Sequence, residues 1–209
     1  MPGLADVLAG PVLEVAPRLL GAVLRHDSPE GTVAVRLTEV EAYAGEHDPG
    51  SHAYRGPTRR NEVMFGQAGH LYVYFTYGMH HCCNVVVGET GHASAVLLRA
   101  GEVVEGLGLA RDRRRNAPDR DLARGPARLC EALAIDLEDN GAWLGDGPLT
   151  LTLPGAGVSP DRLRTGPRVG LRHAADHPWR FWVEGEPTVS VYRPAKRLGE
   201  PAGRRPAGS

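Results

Sequence analysis

The chain predicts an α+β fold: one compact domain with a largely antiparallel β-sheet and a few flanking helices. Three observations carry this reading. Strand-like apolar runs outnumber helical ones, they follow one another instead of alternating with helices as in a βαβ chain, and 209 residues suffice for one domain with a substantial core. Residues 1–193 form the expected domain, and the Pro-, Gly- and Arg-rich stretch 194–209 reads as a flexible tail.

Each element has its own justification. Residues 1–20 space their apolar side chains three and four apart, predicting short helices that Pro17 breaks or restarts. Ala22 to Arg25 and Thr32 to Tyr43 read as strands joined by the turn-forming cluster Asp27-Ser28-Pro29-Glu30-Gly31. The segment Ala44 to Arg60, rich in Gly, Pro, His and Arg, reads as a long loop, and such loops inside compact domains are usually functional. Residues 70–77 and 82–87 predict a hairpin with Tyr77-Gly78-Met79-His80 at its tip, and Ala95 to Arg99 a further strand. The charged segment 107–124 reads as partly flexible surface. Gly125-Pro126 opens a helix with Leu129, Cys130, Leu133 and Ala134 on one face. The last third predicts short strands, including 149–153, 168–171 and 181–192.

Composition narrows the function classes. The 24 Lys and Arg nearly cancel the 25 Asp and Glu, so no global charge marks a polyanion binder. Arginines nevertheless cluster at Arg55, Arg59 and Arg60, at Arg111 and Arg113–Arg115, and near the C-terminus, and such local patches can hold phosphates. No stretch approaches the ~20 apolar residues of a membrane span. Asp6 and Glu14 interrupt the N-terminal apolar residues, so no signal peptide is expected. Cys82, Cys83 and Cys130, an odd count, point to a reducing cytoplasm. Lys196 is the only lysine, so a lysine nucleophile would have to come from the tail, and Pro2, if Met1 is removed, is the one alternative amine.

The strand 32–43 alternates, which puts Val33, Val35, Leu37, Glu39, Glu41 and Tyr43 on one face. Either that face leaves the core at Glu39, or a carboxylate is held at the core's edge beside Tyr43, where partial dehydration suits a general base. Leu71 to Met79 is aromatic-rich. Tyr72 reads as a sheet-packing residue, whereas Tyr77, beside a glycine at a hairpin tip, needs something to enter. His80-His81-Cys82-Cys83 lacks metal-ligand spacing, since neighbours on a strand point to opposite faces. Glu39, Glu41, His47, Asp48 and His52 leave a metal-dependent hydrolase open as the alternative.

Thr38-Glu39-Val40-Glu41-Ala42-Tyr43, Ser51-His52, Thr58-Arg59-Arg60-Asn61, Met64-Phe65, Gly69 to Tyr74, Tyr77-Gly78-Met79, Cys82, Asn84, Val96 to Ala100, Glu105-Gly106, Gly125 to Cys130 and Pro167 to Gly170 stand in one order. Together they resemble the alkyladenine (3-methyladenine) DNA glycosylases of the non-helix-hairpin-helix type, over nearly the whole chain. The resemblance implies a mixed α/β domain around a curved antiparallel sheet. It also implies that Glu41 activates water, helped by Arg99 and the backbone carbonyl of Val169. Tyr43, His52 and Tyr74 would clamp a flipped base, and Asn84 would crowd the amino group of normal guanine. Tyr77 would wedge into the minor groove with Met79 in support. His80 and His81 depart from the family's usual bulky aromatics. The implied partner is double-stranded DNA carrying damaged purines, acted on by a cytoplasmic monomer without metal or cofactor. The implied reaction is monofunctional release of alkylated or deaminated purines. A sensor that flips bases without cutting is a third reading.

Overall fold

The computed structural model describes residues 3–195 apart from Tyr77 and Asn116. Two short helices lead: α1 (Leu4–Leu8) and α2 (Val12–Arg18). The break falls at Gly10-Pro11 and not at Pro17, which is accommodated in the last turn of α2. Then come β1 (Val23–Ser28), β2 (Gly31–Tyr43), β3 (Leu71–Thr76), β4 (His80–Val86) and β5 (Ala95–Glu105). They are followed by α3 (Leu107–Arg113), α4 (Pro126–Leu133), β6 (Leu149–Thr152), β7 (Leu163–Gly166) and β8 (Arg180–Val183).

The strands form one curled antiparallel sheet, in the order β3-β4-β5-β2-β1-β6, with β8 also on β2 and β7 on β8. The α+β expectation holds. The 13-residue β2 is the spine: β5 runs along one edge, while β1 pairs with its first half and β8 with Glu39 to Glu41 on the other edge.

Three elements differ from the sequence expectation. Residues 107–124 are not loose surface. Leu107–Arg113 is helical and packs Ala110 into the core, Leu122 and Ala123 are buried, and Arg111, Arg113 and Arg114 pair with Asp119, Glu30 and Glu131. The strand expected at 168–171 lies earlier, at Leu163–Gly166, because that segment finds β8 as its partner. The strand expected over 181–192 ends at Val183.

The largest correction concerns alternation in β2. Val33, Val35 and Leu37 enter the core, but so do Val40 and Ala42. The register with β5 slips around Thr38 and again around Arg99: Leu37 faces Gly101, Glu39 faces Ala100, and Val40 faces Leu98. Paired bulges of this kind re-aim side chains. Glu41 and Tyr43 therefore do not continue the row Val33–Leu37 but leave the core for the opposite face. The neighbours keep step. Leu71 and Val73, Cys83 and Val85, and Val96 and Leu98 face the main core. Tyr72 and Tyr74, Cys82 and Asn84, and Leu97 and Arg99 face the other way, onto a cavity.

Candidate active site

The cavity has a volume of about 270 Å³ and lies on the non-core face of β2–β5. That is just below the ~300 Å³ at which drug-sized pockets begin, so it suits one flat ring system. Its floor is formed by Tyr43, Tyr72, Tyr74, Cys82, Asn84, Leu97 and Arg99, while Gly50, Ser51 and His52 of the 44–60 loop and Val169 to Leu171 close the sides. Asn61 pins that loop: its side-chain amide donates to the carbonyls of His52 (3.0 Å) and Gly56 (3.1 Å), and its oxygen accepts from the Thr58 amide.

Glu41 lies directly beneath this floor, with no exposed surface. Its Oε2 accepts from the Tyr43 hydroxyl at 2.9 Å and its Oε1 from the Val169 amide at 2.7 Å. Arg99 Nη1 stands 3.4 Å from Oε1. Three donors thus surround one acceptor, and all three belong to residues that line the cavity. Of the two options for this carboxylate the structure combines both: the face leaves the main core at Glu39, and Glu41 is nevertheless buried beside Tyr43. The Val169 amide, which sequence reading did not assign, is the group that contacts Glu41.

Behind Glu41 lies a second buried acid. Glu39 Oε1 accepts from Arg99 Nε (3.0 Å), Arg180 Nε (2.6 Å) and the Ser190 hydroxyl (2.9 Å), and Oε2 accepts from the Ser190 amide (2.6 Å). Both oxygens are engaged, as a buried charge requires. Despite burial, Glu41 and Glu39 keep the Arg99 guanidinium firmly charged.

Tyr43, His52 and Tyr74, grouped by the family resemblance, all line the cavity, and Tyr72 joins them. His52 meets Tyr74 edge-on at 4.5 Å between ring centroids. Tyr72, read from sequence as sheet packing, also lines the cavity, and its hydroxyl lies 3.2 Å from His52 Nδ1. Burial, then the nearby Arg60, lowers the His52 pKa below the ordinary histidine value. Burial and the Glu41 charge push Tyr43 well above the usual phenol range, so its hydroxyl stays a donor to Glu41. Burial raises the Cys82 thiol to about 11, which leaves it neutral and unreactive. Asn84 is fixed by its amide on the Tyr72 carbonyl at 3.2 Å.

Met79 sits at the β3–β4 turn with 67% of its surface exposed, away from the cavity. Tyr77 lies outside the described residues, as do Lys196 and the arginines of the tail.

The carboxylates and histidines of the 44–60 loop do not assemble a metal site. Asp48 is committed to the Arg168 guanidinium and to the amides of Ala44 and Gly50. Among the described residues no group of three or more His, Cys, Asp or Glu could hold a metal ion. Arg168, which sequence reading did not single out, is fully buried and lies against the rings of Tyr43 (4.6 Å) and Trp179 (5.1 Å). A second groove shares Arg99 and Val169 with the cavity and adds Arg124, Arg128 and Arg193. No helix among the described residues is long and apolar enough to cross a membrane.

A profile of the methylpurine-DNA glycosylase (MPG) family matches residues 6–187. A protein of Streptomyces avermitilis named "Putative 3-methyladenine DNA glycosylase" is 58% identical over 193 residues, covering 90% of each chain. A protein of the same name from Leifsonia xyli subsp. xyli is 59% identical over 197 residues, covering 90% of this chain and 91% of its own. A third, from Frankia casuarinae, is 53% identical over 202 residues, covering 92% of this chain and 93% of its own.

Proposed function

The chain belongs to the methylpurine-DNA glycosylase family, an N-glycosyl hydrolase of DNA repair, and we propose that Glu41 is the carboxylate that drives its base release. One observation supports this most: both oxygens of Glu41 are held by residues of the cavity wall, so the acid lies one hydrogen bond behind that wall.

The reaction begins with extrusion of the damaged nucleotide, at a cost of about a few kcal/mol. Tyr77 is the proposed wedge that fills the gap, with the exposed Met79 proposed to support it. Tyr43, His52 and Tyr74 clamp the base, and Tyr72 belongs to the same wall. Stacking on such rings is worth roughly 1–3 kcal/mol per base. A cationic ring such as 3-methyladenine or 7-methylguanine gains further attraction to the aromatic faces.

Cleavage of the C1′–N bond leaves its electron pair on the base and passes through an oxocarbenium-like state. Water then attacks C1′ while Glu41 takes its proton, with Arg99 and Val169 orienting the nucleophile. A cationic base departs as a neutral molecule. Hypoxanthine, already neutral, needs a proton, and His52 is the group nearest to that task; its lowered pKa makes such release faster in acid. Asn84 on the floor disfavours the exocyclic amino group of normal guanine. The groove of Arg124, Arg128 and Arg193 receives backbone phosphates. We further propose a monomer in the cytoplasm, acting without lyase chemistry.

The test is free base released from duplexes carrying 3-methyladenine, 7-methylguanine or hypoxanthine. Release that survives EDTA and leaves an intact abasic strand is expected. A nicked strand, or a covalent adduct trapped by borohydride, would contradict the monofunctional reading.

A further inference from the structure

We propose that Arg168 is the positioning residue for Glu41, an inference that rests on the catalytic reading above. Arg168 does not itself line the cavity, yet the groups holding both oxygens of Glu41 adjoin it. The Val169 amide on Oε1 is the next residue in the chain. The Tyr43 hydroxyl on Oε2 belongs to the ring against which the Arg168 guanidinium stacks at 4.6 Å.

Both terminal nitrogens of Arg168 are themselves fixed, whereas its buried Nε has no hydrogen-bond partner among the described residues. Its two terminal nitrogens form a fork on Asp48, a planar geometry that lysine cannot reproduce. Nη1 also donates to the Ala42 carbonyl at 2.9 Å, between Glu41 and Tyr43. Ala42 in turn donates its amide to the Trp179 carbonyl at 2.8 Å, and the Trp179 ring lies against the guanidinium. Gly50 shows how tight the packing is: a Cβ there would stand 2.8 Å from Nη2. The loop carrying His52, the segment carrying Val169 and the end of β2 therefore meet on one side chain.

A purely structural staple would affect folding and nothing else. A positioning residue must also affect chemistry through Tyr43 and Val169. In single-turnover base release at saturating enzyme, Arg168→Lys should lower the rate about 10–100-fold, as misplacement remote from the reacting atoms does. The enzyme concentration giving half the maximal rate should stay within about threefold, because Arg168 does not itself line the cavity. On a Tyr43→Phe background the same change should cost a smaller fold, because one of its two routes to Glu41 is already gone.

If Arg168→Lys does not fold, the charge-balanced pair Arg168→Met with Asp48→Leu should show the same rate deficit. A wild-type rate in either folded variant would overturn the proposal. So would a loss equal on both Tyr43 backgrounds, or one that vanishes when rates are scaled to the folded fraction. Glu41→Gln separates the two layers. If it is inert while Arg168→Lys is fully active, only the positioning role fails; if Glu41→Gln is itself active, the reading beneath it fails.

Discussion

From Val33 to Leu37, β2 sends every second side chain into the aliphatic core, and its one charge, Arg36, pairs with Glu102 at the surface. From Thr38 to Tyr43 the same strand is just as buried but carries Glu39 and Glu41, each bound by arginine. The bulges at Thr38 and Arg99 separate the two regimes. The difference shows how a sheet can hold a fold and a reaction in one strand. The first half keeps regular alternation and relies on apolar burial. The second breaks alternation once, so that core-facing positions stay apolar while carboxylates turn toward the cavity.

Glu39→Ala breaks the comparison most strongly. It leaves Arg99 and Arg180 buried without their shared partner, so stability should fall by about 3–5 kcal/mol in urea unfolding, and base release should slow because Arg99 is released. Leu37→Ala should cost a comparable or smaller ~2–5 kcal/mol while leaving the rate per folded molecule unchanged. If Leu37→Ala slows chemistry as much as Glu39→Ala does, the division of labour along β2 is wrong. Tyr43→Phe removes a hydrogen bond to a carboxylate, worth about 1.5–3 kcal/mol, and its loss should show mainly in the rate.

Acid should act on the 44–60 loop that covers the polar half. Burial would raise the Asp48 pKa, but the Arg168 fork and the amides of Gly50 and Ala44 outweigh it and hold the carboxyl below its ordinary value. The unfolded chain therefore binds the proton first. This stabilisation is complete above about pH 3.9 and is lost as pH falls through the lower folded value. His52, lowered by burial and then by Arg60, behaves in the same sense, with stability present above about pH 6.5 and declining below it. Urea midpoints measured from pH 7 to pH 3 should show the upper slope vanish in His52→Gln. The smallest effect is expected for Arg36→Ala, at most about 1 kcal/mol, because its partner is half exposed.

Much of the fold was legible because alternation and turn residues mark strands locally. What escaped depends on distant partners. Leu107–Arg113 has a glycine second in line and a charged end, and only packing against α4 and β2 makes it helical. The bulge did leave a trace, since the apolar residues of β2 move from odd positions (Val33, Val35, Leu37) to even ones (Val40, Ala42). That trace was readable, but continuing the alternation through Glu39 hid it. Glu41, Tyr43, His52, Tyr74, Asn84 and Arg99 do converge on one cavity or its floor. Arg168 was invisible because its meaning lies in Asp48, more than a hundred residues earlier. Tyr72 reads as packing in the sequence because a strand tyrosine that packs and one that lines a cavity look alike until the facing loop is placed.

The account stands or falls on whether Glu41 performs chemistry and not merely architecture. Single-turnover base release and DNA affinity should be measured together for the native chain and Glu41→Gln on a duplex with one methylated purine. The expected result is affinity retained and release slowed by about 10²–10⁴-fold, the range of a lost general base. Release at the native rate by a folded Glu41→Gln would contradict it.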